Sequence, residues 1–429
     1  MDRKQMIVQR AREFFADRFD DVKHMVQQDR QELHGWEEPA YLRAVLRRAV
    51  REGVTAETGT TAMAVAQTEI GRAAGEPDRG QQREAIGQLL EAAIAALQKA
   101  SASEKPELTP EEVLGLESAI LLYGRPAILV SRGHLASPAP FWNVLEDQRE
   151  DIELAHRGVG RIEMLGHPEY DWAGTGFLVN DTTLLTTRRT IEIFAETNGE
   201  GQWQFRPGIT GWMNYQEDYQ KSPSAAYRIQ AILGVHDKYD LALLKVEPPH
   251  QATDTPIPLA LAAEPPPRLE GQQVYLIGYP VRDARRNEPE PIVRIFRDVY
   301  NVKRVQPGTL RGVLQFRGVQ LLQHDCAMLG DSAGSCLVDL ESHQVLGLQL
   351  TGRYLEVGTA IPLWVLRDDA MLQRAGVTFA KADAKEVEAL NDQVERLARS
   401  RYWSEARAAI TGLYQRAFGN SSPKKGGKQ

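Results

Sequence analysis

The sequence predicts a mainly β protein with helices at both ends. From Arg161 to about Ala380, short apolar or alternating segments are separated by Gly, Pro, Asn and Asp turns. On either side of this region, apolar residues recur at the spacing of amphipathic helices. About 220 residues of short strands are typical of an all-β barrel or sandwich, and this length favours two barrels.

The composition is ordinary for a soluble globular protein and argues against several functional classes. The chain has 429 residues, of which 42% are hydrophobic and 25% charged, and its net charge of −7 is spread along the sequence. No basic nucleic-acid-binding face, membrane-spanning segment or signal peptide fits these features. We therefore expect a cytoplasmic protein without nucleic-acid or membrane partners.

Residues 1–100 are predicted to form an α-helical bundle. Apolar residues at helical spacing predict helices over residues 3–33, 39–51 and 61–74, and a fourth helix over residues 86–97. Short connections between such helices are typical of a small bundle. The segment has no metal-ligand spacing and no Gly-rich phosphate loop, so we interpret it as an adaptor for an unknown protein partner rather than as a second enzyme.

Residues 101–157 are predicted to link this bundle to the β region. The sequence Thr109-Pro110-Glu111-Glu112 combines an N-cap, a Pro at the first helical position and a Glu at the third. It predicts a helix that ends near Gly124. A strand over residues 125–130 and a helix over residues 144–156 are expected to follow.

The β region is expected to span residues 158–380, and the helical period returns after it. Two C-terminal helices are predicted over residues 381–419, and residues 420–429 are predicted to be a frayed, solvated tail with three lysines.

Within the β region, a Gly/Ser-rich loop at Leu329–Ser335 leads into an apolar strand at Cys336–Leu340. The turn Ser342–Gln344 and a second apolar strand, Val345–Leu350, follow. The pattern predicts a hairpin whose loop offers small residues where a nucleophile and an oxyanion hole can sit.

The two cysteines of the chain, Cys326 and Cys336, flank this loop. They can form a disulfide only if the fold brings them close. In a reducing cytoplasm we expect two free thiols.

Four segments that contain small or polar residues beside apolar strands occur in a fixed order. They are Gly174–Val179 with Leu184–Thr190, then Tyr239–Val246, Val274–Pro280 and Gly330–Val338. Together they resemble the segments that carry the base His, the triad Asp, a Gly-Tyr-Pro strand end and the nucleophile Ser in trypsin-like serine peptidases. The resemblance covers about residues 158–366. It implies a double six-stranded β-barrel of the bacterial type with a helical N-terminal domain.

Two registers without gaps align the nucleophile loop with this family. The pattern Gly-Asp-Ser-Gly-Gly-Pro matches at Gly330, Asp331, Ser332 and Gly334. It makes Ser332 the nucleophile and implies an oxyanion hole built from the N–H groups of Gly330 and Ser332. The variant Gly-Asn-Ser-Gly-Ser matches at Gly334 and Ser335, so that the nucleophile position falls on Ala333. We favour the first register.

The triad Asp of the family corresponds to Asp240, but the base position is occupied by Arg189. A guanidinium stays protonated near neutral pH and cannot accept a proton. Loss of the His alone from such a triad removes roughly a million-fold of turnover. Gln349 also stands where relatives often carry a His.

The resemblance with a degenerate base therefore predicts a catalytically inactive pseudopeptidase that acts as a peptide- or protein-binding or regulatory module. An extended peptide is expected to bind by strand addition in the cleft between the barrels. We also expect a buried Arg189–Asp240 ion pair at the barrel junction. No cofactor or metal is assigned.

Two alternatives remain. One is an active serine endopeptidase that uses Ser332 in a rearranged site, with His236 or His324 as the base. The other is a purely structural subunit, which would bind no peptide.

Overall fold

The computed structural model describes residues 3–15, 18–32, 79–138, 140–216, 218, 226–248, 255–280, 301–327, 332–352 and 357–380. Several predicted features lie outside these residues: the helices over 39–51 and 61–74, the C-terminal helices over 381–419, the tail 420–429, Gly330 and Asp331.

The longer helices that the structure describes are α1 (Arg3–Phe15), α2 (Phe19–Glu32), α3 (Arg79–Ala102) and α4 (Pro110–Ala119). The prediction of one helix over residues 3–33 is wrong, because the described residues form α1 and α2 and Arg18, just before α2, is not helical. Arg18 N–H donates to the carbonyl of Phe15 at 2.7 Å, and Asp20 and Asp21 lie in the first turn of α2. Acidic residues stabilise a helix N-terminus, so they favour a new helix start here.

The predicted start of α4 is confirmed. Glu112 N–H donates to Thr109 Oγ1 at 3.3 Å, and the Glu112 carboxylate accepts from Thr109 N–H at 2.9 Å. These reciprocal bonds satisfy two backbone donors that the helix itself leaves without a partner. The helix then continues as a π-helical turn over Ile120–Gly124.

Helices α1–α4, which we call the helical module, share one apolar core that also includes Ala127 and Ala327. Helices α3 and α4 touch through their backbones at Gly115, where an added Cβ would lie 2.4 Å from Ala93 N. Residues of the predicted linker therefore pack with the predicted bundle. In the described part of the chain, no helix is both long and apolar enough to cross a membrane.

Shorter helices lie in and around the β region. They are α5 (Val144–Asp147), α6 (Arg149–Ala155), α7 (Arg188–Glu192) and α8 (Ala370–Arg374), with single 3₁₀ turns at Pro140–Trp142, His156–Gly158 and Leu363–Leu366.

The strands of the first barrel are β3 (Val159–Leu165), β4 (Trp172–Leu178), β5 (Thr183–Thr186), β8 (Thr210–Asn214), β9 (Tyr227–Val235) and β10 (Ala242–Val246). These six strands close in the order β10-β5-β4-β3-β8-β9. A separate antiparallel pair, β6 (Ala195–Thr197) and β7 (Trp203–Phe205), lies between β5 and β8 in the sequence.

The strands of the second barrel are β12 (Glu270–Gly278), β13 (Arg304–Phe316), β14 (Val319–His324), β15 (Cys336–Asp339), β16 (Val345–Gly352) and β17 (Gly358–Pro362). They follow the order β12-β15-β16-β17-β14-β13, and the pairing of β12 with β13 closes the barrel. The predicted hairpin is β15–β16, and the predicted double six-stranded barrel is confirmed.

Four short strands extend the second barrel. The linker strand β1 (Ile128–Ser131) pairs with β13 and with β2 (His134–Leu135), while β11 (Leu261–Ala262) runs parallel to β16 and β18 (Phe379–Ala380).

The two barrels share an apolar cluster. It combines Phe177 and Leu243 of the first barrel with Ile277 and Leu348 of the second, all of them fully buried. Side chains of the linker, including Trp142, join the same cluster. Burial of this much apolar surface fixes the barrels against each other and so fixes the cleft between them.

Candidate active-site cleft

Arg189 is positioned by a short helix that begins where β5 ends. Thr187 caps α7: its hydroxyl accepts from Thr190 N–H at 3.2 Å. A Thr at this position satisfies one of the helix's free donors and stops the strand. Arg189 therefore lies in the first turn of α7, at the rim of the first barrel.

Asp240 comes from the loop between β9 and β10, which His236 organises. The Nδ1 atom of His236 accepts from the N–H groups of Lys238 and Tyr239, at 3.0 Å each. The Arg188 guanidinium donates to the carbonyls of His236 and Tyr239. Helix α7 and the Asp240 loop are thus bound together, and this holds Asp240 beside Arg189.

Arg189 and Asp240 form the predicted ion pair. The Arg189 backbone N–H donates to Asp240 Oδ1 at 3.0 Å, and its Nε donates to Oδ2 at 2.6 Å. The Nη2 group also crosses the cleft and donates to the carbonyl of Leu350 on β16, at 2.8 Å.

The expectation that this pair is buried is wrong. The side chain of Arg189 is 47% exposed and that of Asp240 is 24% exposed. The guanidinium lies across the cleft between Asp240 and the Leu350 carbonyl, where solvent reaches it. Solvent screening makes such a pair worth about 0–1 kcal/mol.

Ser332 faces away from the solvent. Only 1% of the residue is exposed, and among the described residues its Oγ has no hydrogen-bond partner. The next residue, Ala333, is half-buried, and its carbonyl accepts from Thr175 N–H at 3.4 Å. The oxyanion residues Gly330 and Asp331 lie outside the described residues, so the structure brings Arg189 and Asp240 together without describing an oxyanion hole.

Gly334 holds the loop close to the first barrel. Its φ of +87° favours glycine, and an added Cβ would lie 2.0 Å from the Thr175 carbonyl oxygen. Its N–H donates to the Gln349 carbonyl at 2.9 Å. The loop is therefore clamped between β4 and β16.

Residues to which sequence reasoning gave no role support this clamp. Thr175 accepts from Thr186 Oγ1 at its carbonyl, at 2.7 Å, and from Tyr279 N–H at its own Oγ1, at 3.0 Å. A Cβ on Gly278 would lie 1.8 Å from Ser335 Oγ. The sequence signal that could have identified them is that Thr175, Gly278 and Tyr279 lie within the segments that resemble the family.

The two histidines considered as relocated bases have other partners. His236 Nε2 lies 3.3 Å from Asp369 Oδ2. His324 is fully buried, its Nε2 lies 2.6 Å from Gln349 Oε1, and burial lowers its pKa. Among the described contacts, neither ring reaches Ser332.

Both cysteines are free and buried, which confirms the expectation of two thiols. Burial raises the pKa of Cys336 to about 12 and also raises that of Cys326. Because the thiolate is the reactive form, both are poor nucleophiles at neutral pH.

Comparisons with known proteins fit this architecture. The family model of the trypsin-like peptidase domain matches residues 174–348, the range that includes Arg189, Asp240 and Ser332. No curated protein matches the chain.

Among solved structures, the chain is similar to the active form of the Rv3671c protease from M. tuberculosis, at 18% identity and a TM-score of 0.37, over 57% of this chain and 89% of that one. It is also similar to Deg5, at 18% identity and a TM-score of 0.37, over 54% of this chain and 96% of that one. Because these global similarities are low, the assignment depends on the family match and the barrel topology. The chain contains, over residues 174–348, a domain of the trypsin-like serine peptidase family.

Proposed function

We propose that the protein is a pseudopeptidase that binds an extended peptide or protein segment in the cleft between its barrels. The observation that carries this proposal is the Arg189–Asp240 contact. In an active triad, a neutral His nitrogen takes the proton of the nucleophile, and the Asp orients that His. Here one carboxylate oxygen of Asp240 accepts from the Arg189 backbone N–H and the other accepts from Nε of the Arg189 side chain, which cannot take a proton.

We further propose that Ala333, and not Ser332, occupies the nucleophile position. The burial of Ser332 supports this, since a nucleophile has to meet the substrate in the cleft. The residues around Gly174 support it as well. A Cβ placed on Gly174 would lie 3.0 Å from Thr190 Oγ1, on the helix α7, and 3.6 Å from the carbonyl oxygen of Ala333. Ala333 thus lies close to the helix that bears Arg189. In this register the chain lacks both the base and the nucleophile.

A cleft that lacks the base and the nucleophile can still bind a peptide. Strand β16 forms one wall, because Arg189 of the first barrel reaches its Leu350 carbonyl. An extended peptide that adds to such a strand gains main-chain hydrogen bonds without any catalytic group. The helical module would recruit a protein partner, and the protein would then act as a binding or regulatory module.

A serine-reactive fluorophosphonate probe tests the loss of activity. We expect no labelling of the chain or of Ser332→Ala, beside strong labelling of an active trypsin-like peptidase in the same reaction. Labelling of the chain that disappears in Ser332→Ala would instead establish an active serine endopeptidase with a rearranged site.

A binding measurement tests the role of the cleft. Fluorescein-labelled casein, an unfolded polypeptide, should increase in anisotropy when the protein is titrated in. No change at any concentration would contradict peptide binding and would support a purely structural subunit.

A further inference from the structure

Arg189 connects the two walls of the cleft. Its Nε and backbone N–H hold Asp240 in the first barrel, and its Nη2 holds the Leu350 carbonyl in the second. The proposed loss of catalysis depends on the contacts with Asp240 alone. The contact with Leu350 occupies a backbone acceptor in the wall of the cleft.

Leu350 stands at an irregular point of β16. The ladder with β15 reaches Leu348, and the Gln349 carbonyl then accepts from Gly334 N–H. On the other side, the pairing with β17 shifts register between Gln349 and Thr351. Leu350 is therefore set out of the regular ladder, and its carbonyl points across the cleft to the first barrel.

A carbonyl that points into a cleft at the end of a ladder is the acceptor that an added strand needs. Strand addition works because backbone N–H groups of the peptide bond to carbonyls of the sheet. At Leu350 that acceptor is already used by a charged donor 2.8 Å away. Hydrogen bonds from charged donors are stronger than those from neutral amides.

We propose that Arg189 blocks peptide binding at Leu350 through the bond from its Nη2 group to the Leu350 carbonyl, a contact that we call the latch. A peptide that pairs with β16 at Leu350 displaces the guanidinium from the carbonyl, while the backbone N–H and Nε of Arg189 keep their hold on Asp240. This inference rests on the proposed peptide-binding function. It also sets a requirement for the ligand: the peptide residue opposite Leu350 must have an N–H group, so a proline there is excluded.

The exposure of Arg189 makes the latch reversible. With 47% of its side chain in contact with solvent, the guanidinium can exchange the Leu350 carbonyl for water. Because water competes for this exposed donor, the net worth of its bond is that of an ordinary hydrogen bond, which corresponds to roughly 2- to 12-fold in affinity. We therefore expect removal of the latch to tighten peptide binding by about 3- to 10-fold.

The test compares Arg189→Ala with Arg188→Ala. Arg188 lies on the same helix but donates to the His236 and Tyr239 carbonyls rather than to Leu350. Fluorescein-labelled casein is titrated with the wild-type chain and with each variant, and melting temperatures establish that both variants fold. We expect Arg189→Ala to bind about 3- to 10-fold tighter than the wild type, and Arg188→Ala not to bind tighter.

A second measurement follows the contact itself without any peptide. Labelling Leu carbonyls with ¹³C and Thr nitrogens with ¹⁵N selects the Leu-Thr pairs of the sequence, which are Leu108-Thr109, Leu185-Thr186 and Leu350-Thr351. In Arg189→Ala the Leu350 carbonyl resonance should move by more than the Leu108 resonance, which serves as the internal reference.

The outcomes separate the latch from the proposed function. Equal or weaker casein binding by Arg189→Ala would overturn the latch and leave peptide binding intact. An unmoved Leu350 resonance in a folded Arg189→Ala would overturn the latch whatever casein does. Failure of every form to bind casein would overturn the proposed function and the latch together.

Discussion

The attachment of the helical module to the second barrel depends on Asp325. This carboxylate, 1% exposed, accepts from Arg125 Nε and Nη2 at 2.8 Å each and from Thr309 N–H at 2.7 Å. Arg311 Nε lies 3.3 Å away, and another nitrogen of Arg311 reaches Glu13 of α1 at 3.0 Å. We predict that Asp325→Ala destabilises the protein severely.

The magnitude follows from burial. The side chain of Arg125 is only 12% exposed, so the variant strands a charge in a dry site. Removal of one partner of a buried pair costs about 3–5 kcal/mol. Part of this is offset, because Arg125 keeps its bond to the Gly124 carbonyl at 2.7 Å and stays 4.3 Å from the centre of the Phe14 ring. We therefore expect a loss of about 3 kcal/mol in the free energy of unfolding.

The assay is urea unfolding followed by far-UV circular dichroism at neutral pH. The matched control is Asp21→Ala, which removes a carboxylate from an exposed pair with Arg18, their side chains being 60% and 49% exposed. The control should cost about 0–1 kcal/mol. A loss for Asp325→Ala as small as that of the control would refute the reasoning.

The effect of Asp325→Ala on stability should depend on pH. Burial by itself would raise the pKa of Asp325, but the charge and hydrogen bonds of Arg125, the Thr309 N–H bond and the charge of Arg311 outweigh it, so the pKa lies below its ordinary value. A depressed carboxyl pKa stabilises the folded state above the pKa of the unfolded chain, and this contribution is lost as the pH falls through the folded value. The stability difference between the wild type and Asp325→Ala should therefore be constant near neutral pH and shrink in acid.

Three further outcomes are expected. Arg189→Ala should lower the free energy of unfolding by no more than about 1 kcal/mol in urea titrations, because the pair with Asp240 is screened by solvent; a loss of 3 kcal/mol or more would require a buried pair. Gly278→Ala should lower the melting temperature clearly, since its Cβ would lie 1.8 Å from Ser335 Oγ. The control Gly199→Ala, with no atom within 4 Å of its Cβ, should leave the melting temperature almost unchanged. Equal melting temperatures of the two variants would contradict the packing described. The two buried thiols should react with a thiol reagent only after unfolding, and rapid reaction of the native protein would contradict their burial.

The fold was predictable because its signals are local. Alternating apolar residues between turn residues mark each strand, and the order of four short segments was enough to indicate the closure into two barrels. The segment at Tyr239–Val246, for example, predicts both the strand β10 and the position of Asp240. The capping residues Thr109 and Glu112 specify the start of α4 in the same way, through contacts three residues apart.

What the sequence could not supply are contacts set by the packing of distant segments. Arg189 contacts Leu350, which lies 161 positions later in the sequence. Hydrophobic periodicity predicts helices and strands but not contacts between such distant residues. Gly334, in the loop that carries Ser332, approaches Thr175, which is similarly remote in the sequence. The expectation of a buried Arg189–Asp240 pair was wrong for this reason. The exposure of the Arg189 side chain depends on the position of β16 on the far side of the cleft.

The central claim, that the cleft lacks catalytic chemistry at two positions, is tested most directly by proteolysis of unfolded casein. The wild-type chain is compared with Arg189→His and with the double variant Arg189→His/Ala333→Ser. We predict no cleavage by the wild type or by the single variant, and cleavage by the double variant that survives the further change Ser332→Ala. Cleavage by Arg189→His alone, lost on Ser332→Ala, would instead make Ser332 the nucleophile. Cleavage by the wild-type chain, lost on Ser332→Ala, would contradict the pseudopeptidase account.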